Sequence, residues 1–134
     1  MGVLIDTCIW IDVEQGKLTP EEIIAATGNE PVYLSPVTIA ELKFGAECAT
    51  SPAIHQQRLA ALARIRLKPV LRIDETTGEI FGSIAAQIKT SGKTHRPRIQ
   101  DIWLASQAIQ HGFTLLTRNV RDFEDIPGLQ IATV

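Results

Sequence analysis

The sequence has little from which to build crosslinks. Its 134 residues include two cysteines, Cys8 and Cys48, too few for a disulfide framework or a cysteine metal cluster, so both read as reduced, partly buried small residues. Long apolar runs are also missing. The N-terminal stretch MGVLIDTCIWIDV is broken by Asp6 and Asp12, far short of the roughly 18 to 20 uninterrupted apolar residues of a membrane span, and it does not read as a secretory leader. Repeats, low-complexity tracts and linkers are absent as well. Together these absences predict one cytoplasmic domain over residues 1–134, long enough to bury a core without staples.

No excess of either charge is present: the formal net charge is -2, which neither favours nor excludes a polyanionic partner. The distribution is uneven, however. Residues 1 to 50 hold eight acids against Lys17 and Lys43, whereas residues 51 to 134 hold eleven bases against seven acids. The bases gather at Arg58, Arg64, Arg66, Lys68 and Arg72, and again at Lys89, Lys93, Arg96 and Arg98. A solvated helix face produces the same pattern. So does a metal site flanked by a phosphate-holding surface.

What is present is an alternation of strands and helices. Val3 to Ile5 is a continuous apolar run suited to a strand covered on both faces. CIWIDVEQ reads as a helix, and LTPEEIIAATG as a second, with Thr19 as cap, Pro20 at its first position and Gly28 past its end. VYLS is a second strand. SPVTIAELKFGAEC repeats the Ser-Pro start signal and runs on as a helix through Glu41. SPAIHQQRLAALARIRLK is amphipathic, with Ile54, Leu59, Leu62 and Ile65 on or near one face. PVLRID predicts a third strand. ETTGEIFGSIAAQIKTSG is a helix despite two interior glycines, KTHRPR a basic loop, IQDIWLASQAIQHG a helix, and FTLLT and LQIATV the last strands. The order predicts a three-layer α/β domain with a central, mostly parallel sheet flanked by helices.

Four acids fall where such a sheet converges. Asp6 ends the first strand, and the strand Phe113 to Thr117 leads into Arg118, Asn119 and Asp122; if the two strands are parallel neighbours, both open onto the same edge. Glu41 sits in the largely apolar VTIAELKFG, and Asp101 near the start of IQDIWLASQA. Charges among such neighbours are costly unless paired or metal-bound. Each acid also has a plainer reading. Asp6 can cap the helix that follows it, Glu41 can belong to a polar helix face with Lys43 and Glu47, Asp101 suits the positive end of a helix dipole, and Asp122 can cap the turn RDFEDIPG. Asp6 could also be the nucleophile of an aspartyl-phosphate phosphatase, but those enzymes place a second Asp where Cys8 stands. The GKT of SGKTH is not a P-loop, because the required first glycine is Gln87, at the end of a helix.

The stretches LIDTCIWI, SPVTIAELKFG, DIWLASQAIQHGFTLLTRNVRDF and PGLQI resemble, in order and spacing, the PIN-domain ribonucleases, and in particular the toxin subunit of the VapBC type of toxin-antitoxin pair. The resemblance implies a PIN-like fold and a metal-dependent endoribonuclease. It places metal-binding acids at Asp6, Glu41 and Asp101, with Asn119 where many members carry a fourth aspartate and Asp122 close behind. It makes Thr7 a hydroxyl that orients these groups. It also implies a homodimer and a small antitoxin whose tail occupies the acidic groove. Two departures are visible: Cys8 stands where Asn is commoner, and Asn119 removes one negative charge. A module that keeps the PIN-like shape without catalysis is the alternative.

The chemistry stands on the residues as well. Crowded carboxylates cannot all stay ionised without a counter-charge, and hard oxygen ligands select Mg²⁺ or Mn²⁺ over zinc. One such ion, or a pair about 4 Å apart, activates water and stabilises the attacking and leaving oxygens of an RNA phosphodiester. No histidine falls in these motifs; His55, His95 and His111 read as surface residues. Lys93, Arg96 and Arg98, just ahead of Asp101, are the candidate RNA contacts.

Overall fold

The computed structural model describes residues 1–134. Strands β1 (Val3–Ile5), β2 (Val32–Tyr33), β3 (Thr114–Leu116) and β4 (Gln130–Ala132) form one sheet in the order β2-β1-β3-β4. All pairs are parallel, with Val3, Leu4 and Ile5 opposite Thr114, Leu115 and Leu116. From β1 the chain goes to β2 on one side and later to β3 on the other, so the strand order reverses at β1. Open α/β sheets bind ligands beyond the carboxyl ends of the strands at such a point. Here those ends carry Asp6 and Thr117.

Six helices cover the sheet: α1 (Thr7–Glu14), α2 (Pro20–Thr27), α3 (Pro36–Glu47), α4 (Pro52–Ile65), α5 (Glu75–Thr90) and α6 (Ile99–His111). The starts follow local chemistry. Thr19 and Glu22 form a reciprocal capping box, with Pro20 behind the cap and Gly28 left-handed at the C-cap, a conformation glycine adopts without a Cβ penalty. Ser35 caps α3 by accepting from Val37 N. Alternation along β1 then divides the core. Leu4 and Leu115 pack with Ile84 and Ile88 of α5 and Ile102 and Ala105 of α6, whereas Val3, Ile5 and Leu116 pack with Ile9, Trp10, Leu18 and Ile23 from α1 to α2. Both faces of the sheet are thus buried, which is why its strands read as unbroken apolar runs.

One predicted element is corrected. PVLRID is not a strand but a single bridge between Leu34 and Val70. Leu34 N donates to Pro69 O and Leu71 N to Leu34 O, and the pairing stops there. Pro69 has no N–H to extend it, and only Leu71 is buried while Val70 and Ile73 are exposed, so no second layer covers this edge. The basic loop is also more ordered than expected, since Arg96–Arg98 form a 3-10 turn leading into α6.

Candidate active site

Asp6 stands between β1 and α1 and is 7% exposed. It does cap α1, since Oδ1 accepts from Thr7 N at 2.7 Å. Capping does not exhaust it. Oδ2 accepts from Thr117 Oγ1 at 2.8 Å and from Cys8 Sγ at 3.4 Å. Two lone-pair positions on each oxygen leave Oδ1 with acceptor capacity to spare. A buried carboxylate without a paired cation is tolerated here because three donors meet it.

Glu41 is carried on α3, which packs against α1. The Thr7 hydroxyl donates to Glu41 Oε1 at 3.1 Å and lies 3.0 Å from Thr38 Oγ1, so Thr7 touches the second acid. Burial raises the Glu41 carboxyl above its usual range, and the charge of Asp6 raises it further against the opposing Thr7 bond. Lys43 does not neutralise it, being paired with Glu47 at 2.8 Å.

Asp101 lies in the first turn of α6. Burial pushes its carboxyl up to about 6, helped by the charges of Asp6, Asp122 and Glu41, while Arg98 opposes. An acid in a first helical turn is ordinarily favoured in its ionised form by the dipole. The rise in spite of this comes from the burial of Asp101 itself and from the charges of Asp6, Asp122 and Glu41 around it. No three of them stand at the spacing that would hold one cation. The oxygen-only set of acids fits a hard divalent cation in character. Burial pushes the Cys8 thiol up to about 11, and as a thiol it donates to Asp6 Oδ2.

Asn119 and Asp122 are exposed, on the segment after β3. Asn119 N donates to Thr117 Oγ1 at 3.0 Å, while its side chain caps nothing. Of the candidate RNA contacts, Lys93 and Arg98 both pair with Asp125, at 3.0 and 2.7 Å; Arg96 is exposed and in no ion pair. Sequence reasoning missed Thr117, Thr38 and Asp125. Thr117 had a signal, as the residue that follows β3 just as Asp6 follows β1. Asp125 had none, because its partners lie 27 and 32 residues away.

A groove of about 460 Å³ runs between α1, α3 and α4, lined by Ile11, Leu42, Ile54, Leu62 and Ile65, with Glu14, Glu41 and Arg58 among its polar residues. Glu41 thus belongs both to the groove and to the acidic site. The face of α4 expected to be apolar supplies Ile54, Leu62 and Ile65 to it.

Residues 3–129 match the model of the PIN domain family. Ribonuclease VapC1 of Rickettsia felis is 34% identical over 142 residues, covering 100% of this chain and 97% of its own. Ribonuclease VapC5 of Mycobacterium tuberculosis is 31% identical, covering 95% of this chain and 88% of its own. Among solved structures, DNA-bound VapBC from Salmonella typhimurium superposes with a TM-score of 0.84 at 26% identity, over 99% of this chain and 98% of that one.

Proposed function

The chain belongs to the PIN domain family, and from that premise we propose that it is a metal-dependent endoribonuclease, the toxin of a toxin-antitoxin pair, with Asp6, Glu41 and Asp101 as its metal-binding acids. Asn119 and Asp122 contribute from the exposed rim. The observation that carries the reading is that Asp6 ends β1 where the strand order reverses, in a chain whose residues 3–129 match the PIN domain family, with Asp6, Glu41 and Asp122 all acting on the Asp101 carboxyl. A helix cap or a polar helix face creates no such convergence.

The cation is Mg²⁺ or Mn²⁺, for the donors are carboxylate oxygens. When bound, it lowers the pKa of water and stabilises charge on the phosphodiester oxygens. The chain's own residues prepare for this. Thr117 and Thr7 N fix the Asp6 carboxylate, Thr7 Oγ1 holds Glu41 Oε1 by a hydrogen bond, and the first turn of α6 presents Asp101. Arg96, exposed in the turn just ahead of α6, supplies a positive charge that an RNA phosphate can meet.

The protein works as a homodimer held in check by a small antitoxin. The groove between α1, α3 and α4 reaches Glu41, so an antitoxin tail lying along its apolar wall arrives at the acids. No helix is long and apolar enough to cross a membrane. Digestion of RNA by the purified protein tests the activity: cleavage with added Mg²⁺ or Mn²⁺, stopped by chelator and restored by the ion, is expected. Undiminished cleavage in chelator would refute metal dependence, and no cleavage under any condition would favour a binding module.

A further inference from the structure

Asn119 and Asp122 are exposed on the segment Thr117 to Asp125, which is anchored in the core by Thr117 and Phe123, and the ion pairs at its two ends involve neither of them. At its near end Arg118 Nη1 meets Asp12 Oδ2 of α1 at 2.9 Å. At its far end Arg98 grips Asp125 through two bonds, Nη2 to Oδ1 at 2.7 Å and Nη1 to Oδ2 at 2.9 Å, and Lys93 adds a third contact at 3.0 Å. The same Arg98 Nη2 donates to the backbone carbonyl of Asp122 at 2.8 Å. Arg98 immediately precedes α6 and lies one helical turn before Asp101. One guanidinium therefore joins the backbone of Asp122 to the start of the helix that presents Asp101.

The pair is sheltered as well as well shaped. The Arg98 and Asp125 side chains are 18% and 25% exposed, so solvent screens them less than a fully exposed pair, and two parallel bonds fix orientation as a single contact does not. Arg98 also feels the charges of Asp101 and Asp122. Without a carboxylate of its own, it would be drawn onto those acids and would compete with a cation for them. Asp125 holds it off to one side.

We propose that Asp125 is a positioning residue of the nuclease site: through its two-bond grip on Arg98 it fixes the backbone of Asp122 against the first turn of α6 and so sets the spacing of the Asp122 and Asp101 carboxylates. The proposal rests on the reading that these acids take up a divalent cation. It also gives the basic segment a job other than RNA contact, for two of its three charges belong to the grip.

The test is Mn²⁺ affinity, by calorimetry or by the spin-resonance signal of the free ion, in the parent, Asp125→Asn, Arg98→Gln and Asp125→Glu. Asp125→Asn and Arg98→Gln should each weaken Mn²⁺ by about tenfold, as loss of a partner that orients ligands commonly does, and Asp125→Glu should recover most of the loss. Arg98→Gln decides between mechanisms. If Arg98 acted only by its charge, removing that charge beside the acids would tighten Mn²⁺; loss of positioning loosens it. Amide exchange at residues 119 to 123 gives a second readout that needs no metal, and it should quicken in both variants. Unchanged or tighter Mn²⁺ in Arg98→Gln, unchanged affinity in Asp125→Asn, no recovery in Asp125→Glu, or unchanged exchange would each overturn the proposal. If the parent binds Mn²⁺ and the variants match it, the positioning role alone fails. A parent that binds no Mn²⁺ removes the metal reading and this proposal with it.

Discussion

Thr117 Oγ1 donates to Asp6 Oδ2 at 2.8 Å across the seam between β1 and β3, joining residues 111 apart in sequence. The same oxygen accepts from Asn119 N at 3.0 Å. One buried hydroxyl thus fixes both the first acid and the start of the segment that carries Asn119 and Asp122. A threonine can do both because its single proton goes to the carboxylate while a lone pair remains for the amide.

Thr117→Val, which keeps the shape and removes the hydroxyl, should weaken Mn²⁺ binding and slow RNA cleavage by about tenfold. It should also cost about 1 to 3 kcal/mol of stability, because the buried Asp6 carboxylate loses a donor. Thr117→Ser should stay near the parent in both respects. Titration of the ion, a cleavage time course and a denaturant melt check this. If Val behaves like Ser, the hydroxyl has no role at the site.

Asp101→Asn should abolish cleavage and leave the metal-free protein as stable as the parent or more so. The Asp101 carboxyl titrates at about 6 rather than 3.8, so between these values the folded chain holds a proton that the unfolded chain has released. Stability of the metal-free parent therefore falls as pH rises from about 4 to 6, and the variant lacks that fall. At pH 7 the gain should be ~1 to 2 kcal/mol, after discounting the shift for solvent screening. Melts across this pH range in chelator are the check. A variant that melts well below the parent at pH 7, or one that still cuts RNA, contradicts the assignment.

Glu41→Gln should be as inactive as Asp101→Asn, since an amide keeps an oxygen but loses the charge that holds a hard cation. Asp122→Asn should be milder, because Asp122 is exposed and Glu41 is not. The reverse ranking in one cleavage assay would show that the ligands have been assigned wrongly.

The sequence reading found the parts of the fold with local causes. Helix starts at Thr19 and Ser35 are written in their neighbours, and the unbroken apolar run at Val3 to Ile5 follows from a sheet covered on both faces. PVLRID misled because β-branched content says nothing about whether a second layer exists to cover a strand. Around the proposed site, the sequence placed Asp6 at the end of β1, Glu41 inside a helix and Asp101 in a first helical turn, where the structure has them. The hydrogen-bond partners Thr117 and Thr38 were not legible, because they are set by register and packing across separate elements. The basic segment showed its charges but not their partner, as Asp125 meets Lys93 and Arg98 only in the fold.

Of those charges, Arg96 alone is left without an ion pair, so it should carry the RNA contact. In an Asp101→Asn background, Arg96→Gln should weaken RNA binding and flatten the plot of log K against log salt by about 0.7, the share of one phosphate contact on a single strand. Binding measured across a salt series reads this directly. An unchanged slope returns the turn to ordinary surface.

The central claim is that acids gathered at the carboxyl ends of β1 and β3 exist to hold a divalent cation. Titration of Mn²⁺ into the parent, Asp6→Ala and Asp6→Asn tests it most directly, the last variant keeping an oxygen to cap α1. Saturable binding in the parent that is lost in both variants, while both still melt cooperatively, is the predicted result. Binding of equal affinity in all three proteins would contradict it.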